Sequence, residues 1–256
     1  MTKLFFLGLA LGLALLLIIN TGALRPRQKS AEQIQYQKEL ADATPVQSRV
    51  LTERQRIHSR RFSFYREVRA NTISELVAHA KSMGHLTAGT GLFPGLGPVR
   101  EPEAPETFFG ELARASDAVI WGRVTKKTSQ VTEDDAFLFT DYDVEVAEIL
   151  KDNAAAPLAP GATITVTWPG GKVLLDGVIV TAIDQNLLPL PTNGHDIVLF
   201  MKFLPQTGAY YNAPGNAAYE IDGTSVQPLT PRSFLPPGVI QDRDSFLGTI
   251  RAVSAK

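Results

Sequence analysis

Hydrophobic residues recur with helical spacing in the first part of the chain. Residues 28 to about 84 follow this spacing, with a break at Thr44-Pro45. Thr72 and Glu75 have the separation of a capping box, in which each side chain accepts a hydrogen bond from the other residue's backbone N–H. The apolar residues that follow recur at helical intervals up to Gly84, a residue type that commonly ends a helix. The pattern predicts a helical arm that ends in a well-defined short helix.

The pattern changes to period two after Thr107. Phe108–Ala115 and Ser245–Val253 each have one apolar helical face, so a helix is expected at either end of this part. Between them, nine short segments alternate apolar and polar residues and are separated by turn residues. They are Ala118–Lys126, Phe137–Leu150, Ala162–Trp168, Lys172–Leu175, Val178–Ile183, Ile197–Leu204, Ala209–Tyr211, Ala217–Ile221 and Thr224–Val226. So many short antiparallel strands must hide their edges, which predicts a small barrel or sandwich flanked by helices.

Two Asp-Gly pairs mark the tightest turns of the strand region. Asp176-Gly177 joins two strand segments with no other residue between them, as in a two-residue hairpin. Glycine tolerates the positive φ that a type I′ turn requires. Asp222-Gly223 has the same form, so we expect a second hairpin there.

The N-terminal residues contain the longest apolar run. No charge occurs between Lys3 and Arg25, and Leu4–Leu24 as a helix would span about 30 Å, one hydrocarbon core. A charged start, a long apolar run and a small residue at Ala23 are typical of a secretory signal. Residues 1–24 are therefore expected to be a signal peptide or an uncleaved membrane anchor, with the rest exported. The opposite orientation stays open, because basic residues after such a run tend to remain cytoplasmic.

Charge divides the chain in nearly the same place as periodicity. The net charge is -1, but residues 1–100 hold 14 basic and 6 acidic side chains, whereas residues 101–256 hold 11 and 20. The near-zero total argues against a dedicated nucleic-acid binder. The chain has no cysteine, which excludes disulfides, thiolate metal sites and a cysteine nucleophile.

Three regions follow: residues 1–24 as leader or anchor, 25–106 as a basic helical arm with a Gly/Pro linker, and 107–256 as a β-barrel domain. Arginines lie beside aromatic residues between Val46 and Arg69. This mixture favours either contact with anionic lipid headgroups near the anchor or packing of the aromatics on the acidic half. The glycines that follow do not have the spacing of a phosphate-binding loop.

Five runs in the strand region carry a family resemblance: Ser116–Val124, Phe139–Tyr142, Glu148–Lys151, Ile164–Gly171 and Ile197–Pro205. Over residues 107 to about 230, they resemble a family of uncharacterised exported proteins common in environmental bacteria, especially acidobacteria. The first run also resembles the opening strand of OB-type barrels of the netrin and metalloprotease-inhibitor class. The resemblance implies an α+β fold with an N-terminal membrane or signal helix, a helical arm and a mostly antiparallel OB-like β-barrel with flanking helices. It implies no inhibitor activity, because the cysteine framework of those modules is missing.

Candidate catalytic and metal-binding residues are sparse. Asp141, Asp143 and Glu145 alternate along one predicted strand, which places neighbouring carboxylates on one face about 6.6 Å apart. One strand supplies too few converging oxygens for calcium, and Val146 stands where an EF-hand loop needs glycine. The four histidines lack zinc-ligand spacing, and no G-x-S-x-G motif accompanies His195. We therefore expect neither a metal site nor a serine triad.

Arg123, Trp168 and Asp184 are the candidate ligand-binding residues. Trp168 precedes Pro-Gly-Gly, and Asp184 begins a polar cluster at the end of a strand. Ligands commonly enter a barrel at such loop mouths. In the alternative interpretation, Trp168 is a core aromatic that closes the barrel end and Asp184 shapes a turn.

The expected function is an exported or membrane-anchored interaction module of the cell envelope, with the membrane as its partner through the N-terminal segment and with no cofactor. One alternative is a hydrolase in which Asp141 with Asp184 or Asp196 serves as general acid and base on an envelope polysaccharide. A second alternative is an OB module that binds single-stranded nucleic acid. The acidic charge of the strand region argues against that second alternative.

Overall fold

The computed structural model of the protein describes residues 31–46, 49–68, 71–92, 104–213, 218–229 and 242–254. The apolar run Leu4–Leu24, and the helix expected for it, lie outside the described residues. The chain divides into two compact units, residues 1–41 and 42–256.

Helices and strands alternate unevenly along the described residues, as in an α+β fold. The α-helices are α1 (Ala31–Asp42), α2 (Glu53–Arg60), α3 (Ile73–Ser82), α4 (Pro105–Ala115) and α5 (Arg243–Ser254), and a 3₁₀ helix spans Ser63–Val68. The strands are β1 (Thr44–Pro45), β2 (Thr87–Leu92), β3 (Ala118–Val131), β4 (Leu138–Lys151), β5 (Thr163–Pro169), β6 (Gly171–Leu175), β7 (Val178–Asp184), β8 (Asp196–Leu204), β9 (Ala209–Asn212), β10 (Ala218–Asp222) and β11 (Ser225–Pro228). Each of the nine predicted strands is confirmed.

The strands form two mixed sheets. The smaller sheet has the order β1-β6-β7-β2, and its two edge strands run parallel to their neighbours. The larger sheet has the order β11-β10-β8-β3-β4-β5-β9, and β9 also pairs with β8. This additional pairing closes β8, β3, β4, β5 and β9 into a ring. Within the ring, β5 and β9 are parallel and the other four pairings are antiparallel.

Apolar side chains from all five ring strands form one buried cluster. Alternate residues of a strand point to opposite faces, so every second residue lies inside the ring. The cluster includes Ile120, Val144, Val166, Leu199 and Tyr210. Helices α4 and α5 cover the opposite face of β8, where Val198 and Phe200 are buried. Burial on both faces explains why β8 is a continuous apolar run.

The helical arm is part of the same fold from residue 42 onwards. Buried residues of the 3₁₀ helix and α3 form one cluster with the β3–β4 hairpin and the smaller sheet. The ring of Tyr65 stacks on that of Phe137, with centroids 4.1 Å apart. This contact agrees with the interpretation that the arm's aromatics pack on the acidic half.

Capping explains where the arm helices begin and end. The capping box of Thr72 and Glu75 is confirmed at the start of α3, and Gly84 just after α3 has a φ of +70°. Thr52 and Gln55 form a second capping box at the start of α2. Each box satisfies two backbone donors that a helix N-terminus leaves unpaired.

The two hairpin turns differ in register. Asp176 and Gly177 have φ angles of 51° and 82°, and the flanking residues pair with each other, so the predicted type I′ turn is confirmed. The expectation of a second turn at Asp222-Gly223 is wrong by one residue, because Asp222 pairs with Ser225. Gly223 is therefore the first turn residue, with a φ of 60°, as in a type II′ turn.

The glycine-rich stretch begins as a strand. Gly89 and Gly91, expected in the linker, lie in β2, which pairs in parallel with β7 from Thr87 to Leu92. The segment has no alternating apolar residues, so its strand structure depends on hydrogen bonds to β7 and not on its own pattern. Residues 93–103 of the predicted linker lie outside the described part of the chain.

Candidate functional site

Arg123 lies on the solvent side of the ring. Its side chain is 56% exposed, and its Nε and Nη2 atoms donate hydrogen bonds to Asp196 Oδ1 at 3.0 and 2.7 Å. Arg123 and Asp196 are direct partners on β3 and β8. An exposed pair of this kind contributes at most about 1 kcal/mol to stability, so it is available to a ligand at low cost.

Trp168 is inside the ring. It is fully buried, and its Nε1–H donates a hydrogen bond to the Leu188 carbonyl oxygen at 3.0 Å. Trp168 contributes to the same cluster as the other inward residues of the ring. This placement agrees with the alternative in which the indole closes the core of the barrel.

Asp184 ends β7 and is also buried. Its Oδ2 accepts a hydrogen bond from the Tyr65 hydroxyl, and its Oδ1 accepts one from the Asn186 backbone N–H at 2.8 Å. Burial, together with the hydrogen bond to Asp184, raises the pKa of Tyr65. Asp184 thus connects the arm to the smaller sheet, and its bond to Asn186 shapes the turn that follows the strand.

The three aspartates of the hydrolase alternative each contact a different residue. Asp141 contacts His58, Asp184 contacts Tyr65, and Asp196 contacts Arg123. A general acid and base pair needs two carboxylates that face the same bond from opposite sides. The contacts of these three aspartates give that arrangement no support.

A different set of side chains converges where α2 meets the ring. His58 on α2 is fully buried, and its Nδ1 lies 2.8 and 3.0 Å from the two carboxylate oxygens of Asp141 on β4. Its Nε2 lies 3.0 Å from Oγ1 of Thr207, in the turn between β8 and β9. Thr207 is half-buried and Asp141 is 19% exposed, so the cluster reaches the surface at both ends.

The hydrogen-bond order in this cluster assigns the imidazole protons. An ionised carboxylate can only accept, so His58 Nδ1–H donates to Asp141. In the tautomer that carries its proton on Nδ1, Nε2 accepts a hydrogen bond from the Thr207 hydroxyl. Carboxylate, imidazole and hydroxyl in this order are the parts of an activated hydroxyl nucleophile.

Further contacts hold α2 against the ring. The Ser59 hydroxyl oxygen accepts a hydrogen bond from the Glu133 backbone N–H at 2.7 Å, in the turn between β3 and β4. The guanidinium of Arg61 lies 4.0 Å from the centre of the Tyr211 ring on β9. Helix α2 therefore contacts the β3–β4 turn, and its C-terminal end contacts β9.

A small cavity of about 120 Å³ lies between the arm and the β3–β4 hairpin. Its lining includes Arg49 and Asp135, whose charged groups approach to 3.4 Å. Small-molecule sites usually measure about 300–1,000 Å³. This cavity is too small for such a ligand and is partly closed by its own ion pair.

No sequence pattern indicates that His58, Asp141 and Thr207 meet. Asp141 and Thr207 follow His58 by 83 and 149 residues, and the three residues lie in different parts of the fold. His58 lies among arginines in a helix, where a solvated face was the ordinary expectation. The contact depends on how α2 docks, which local periodicity does not specify.

Among the described residues, no group of three or more His, Cys, Asp or Glu side chains is placed to hold a metal ion. No helix in that same part of the chain combines the length and apolarity needed to cross a bilayer.

No protein-family model matches the chain, and no curated protein matches it either. The geometry of the described residues and the N-terminal sequence are therefore the basis for assigning a function.

Proposed function

We propose that the protein is an exported or membrane-anchored interaction module of the cell envelope, built on an OB-type barrel. The observation that carries the proposal is the connectivity of the five-stranded ring. In chain order its strands are β3, β4, β5, β8 and β9, and around the ring the fifth strand lies between the third and the fourth. OB barrels have this order, with the third and fifth strands parallel, as β5 and β9 are here.

Helix α2 occupies the position where OB barrels commonly bind ligands. That position lies between the loop joining the first two strands and the loop joining the last two. Here these are the β3–β4 and β8–β9 turns, and Ser59 and His58 bind one turn each. The barrel thus holds a segment of its own chain where other OB modules hold a ligand.

The part of the ring that remains open is polar. Arg123 and Glu145 are exposed, Asp196 is partly exposed, and Thr163 on the neighbouring strand is exposed as well. Such a surface suits a hydrophilic partner bound through hydrogen bonds and charge. Arg123 remains the leading candidate for contact with that partner, whereas Trp168 and Asp184 support the fold.

Contacts within the fold argue against both the nucleic-acid and the hydrolase alternatives. Binding of single-stranded nucleic acid relies on aromatic side chains on which bases stack. In the described barrel, Trp168 and Tyr210 are buried, and Tyr211 is covered by Arg61. The hydrolase alternative lacks paired carboxylates, as described above for Asp141, Asp184 and Asp196.

Export is proposed from the sequence of Leu4–Leu24, an apolar run that is costly to leave in water. The resemblance to exported proteins of acidobacterial type supports the same assignment. Cleavage after Ala23 would release the chain, whereas retention of the run would keep it at the membrane.

The envelope location can be tested with the full-length gene carrying a C-terminal reporter. Alkaline phosphatase folds only after export, and green fluorescent protein fluoresces when it remains in the cytoplasm. We expect phosphatase activity without fluorescence, together with an N-terminus at Leu24 or an intact chain in the membrane pellet. A fluorescent fusion without phosphatase activity, found in the soluble cytoplasmic fraction, would refute the proposal.

The binding role is separated from its rivals with the purified full-length chain. Isolated cell-wall polysaccharide would release reducing ends if the hydrolase alternative were correct. A labelled oligothymidine would show increased anisotropy if the nucleic-acid alternative were correct. We expect neither signal, and either one would replace the interaction module as the main assignment.

A further inference from the structure

The hydroxyl of Thr207 has the surroundings of a nucleophile. It is held 3.0 Å from Nε2 of His58, whose other nitrogen is fixed by both oxygens of Asp141. His58 is completely buried, so no water competes for its two nitrogens. Thr207 itself is only half-buried and lies in the turn between β8 and β9.

We propose that Thr207 accepts an acyl group from a small activated ester, with His58 as the general base and Asp141 as the positioning residue. Thr207 Oγ1 attacks the ester carbonyl carbon while its proton passes to His58 Nε2. The bond to the leaving oxygen then breaks, and that oxygen takes the proton back from Nε2. The products are an acylated Thr207 and a free alcohol. Attack by water through the same base then hydrolyses the acyl ester, which restores the Thr207 hydroxyl and releases a carboxylic acid.

The turn that carries Thr207 sets the class of substrate. The backbone N–H groups of Thr207 and Gly208 both donate hydrogen bonds to the Leu204 carbonyl oxygen, at 3.1 and 2.9 Å. They therefore cannot stabilise an oxyanion, a loss that lowers acyl-transfer rates by about 100- to 1,000-fold in enzymes that depend on such donors. Good leaving groups are required to compensate, so the site suits aryl esters and not amides.

Arg61 places a cation at the C-terminal end of α2. It follows His58 by three residues, and its guanidinium stacks on Tyr211 of β9, the strand that follows the Thr207 turn. A cation at this edge favours acyl groups that carry a negative charge.

The test uses the full-length chain in mild detergent with p-nitrophenyl acetate as the probe. We expect a burst of about one p-nitrophenolate per chain and one acetyl group located on Thr207 by peptide mass mapping. Mapping is essential because exposed lysines react slowly with the same reagent.

Matched variants decide the outcome. Thr207→Val has nearly the same shape and should lower the burst rate by about 100-fold or more, whereas Thr207→Ser should retain it. Thr224→Val, an exposed threonine in the turn between β10 and β11, is the control and should react like the wild type. Asp141→Asn should slow the reaction and change its pH profile, an effect that a purely structural carboxylate would not have. Acetylation confined to lysines, or an unchanged burst in Thr207→Val, would overturn the proposal even if His58 variants fail to fold.

Discussion

Two buried tyrosines allow the same substitution to be compared in opposite environments. The Tyr65 hydroxyl donates a hydrogen bond to Asp184, which is only 6% exposed. Tyr219 lies among Phe109, Phe200 and Phe246, and among the described residues its hydroxyl has no hydrogen-bond partner. Burial raises the pKa of both tyrosines, so both are neutral in the folded protein near neutral pH.

Replacing each tyrosine with phenylalanine removes one oxygen atom and leaves the ring in place. A hydrogen bond to a charged group contributes about 1.5–3 kcal/mol, so Tyr65→Phe should lower the free energy of unfolding by about 2 kcal/mol. An unpaired buried hydroxyl costs about 1–3 kcal/mol, so Tyr219→Phe should raise that free energy by about 1 kcal/mol. The two variants should therefore differ by about 3 kcal/mol.

Urea unfolding at neutral pH measures this difference, with Trp121 and Trp168 as fluorescent reporters inside the larger sheet. For a protein of this size, about 3 kcal/mol corresponds to melting temperatures that differ by roughly 6–12 °C. The slope of the unfolding free energy against urea concentration should be the same in both variants, because neither alters the surface exposed on unfolding.

The double variant Tyr65→Phe with Asp184→Asn separates loss of the hydrogen bond from loss of packing. If the bond is responsible, the second change should cost less after the first than it does alone. Equal effects of Tyr65→Phe and Tyr219→Phe would refute the reasoning, because they would mean that the hydroxyl environments do not matter. A destabilised Tyr219→Phe would mean that its hydroxyl has a partner.

Three further predictions concern the backbone and an exposed ion pair. Gly122→Ala should destabilise the protein by about 2–3 kcal/mol in the same urea assay, because a Cβ there would lie 2.4 Å from a β4 carbonyl oxygen. Gly248→Ala is its control: α5 leaves space for that Cβ, so stability should rise by up to about 1 kcal/mol, and similar effects of the two would contradict the close approach. Gly177→Val should cost about 1 kcal/mol or more because its φ is +82°, and unchanged stability would place the turn elsewhere. Arg251 holds the pKa of Glu148 below its usual value, so this ion pair stabilises the fold above the ordinary glutamate pKa and stops doing so as pH falls through the lowered one. Arg251→Met should therefore lower the melting temperature slightly at neutral pH and leave it unchanged in strong acid. Because both side chains are partly exposed, the stability loss should stay below about 1 kcal/mol. A loss that persists in acid would contradict this prediction.

Local patterns predicted the elements better than the arrangement. β8 was recognisable because Ile197–Met201 is continuously apolar, and the Asp176-Gly177 turn because only a few residue types accept its φ angles. β2 was missed because Thr87–Leu92 has neither alternation nor bulky side chains. Its strand structure comes from pairing with β7, which is distant in sequence. The parallel pairings of both sheets, β1–β6, β2–β7 and β5–β9, depend on such distant contacts.

The candidate site was harder to predict for the same reason. Arg123 was found on an exposed face, but Trp168 and Asp184 were chosen from loop-mouth patterns that also fit buried structural residues. His58 had no distinguishing signal, because a histidine between arginines in a helix resembles a solvated residue. Its burial follows from the docking of α2 between two turns, through contacts that span 74 and 149 residues of sequence.

Ion pairs between the basic arm and the acidic half of the chain affect how the arm's charge is interpreted. In the sequence, a basic arm beside an apolar N-terminal run is compatible both with a lipid surface and with the acidic half of the chain. Near the β3–β4 turn, Arg56 and Arg60 both approach Glu133, and Arg49 pairs with Asp135. These exposed pairs add little stability, at most about 1 kcal/mol each, but they keep several arginines directed towards the protein. The basic charge of the arm is thus partly neutralised within the fold, so the membrane attachment that we propose would depend on the apolar run and not on these three arginines. Retention of the full-length chain in the membrane pellet should consequently resist high salt, which screens arginine–lipid contacts and strengthens apolar burial.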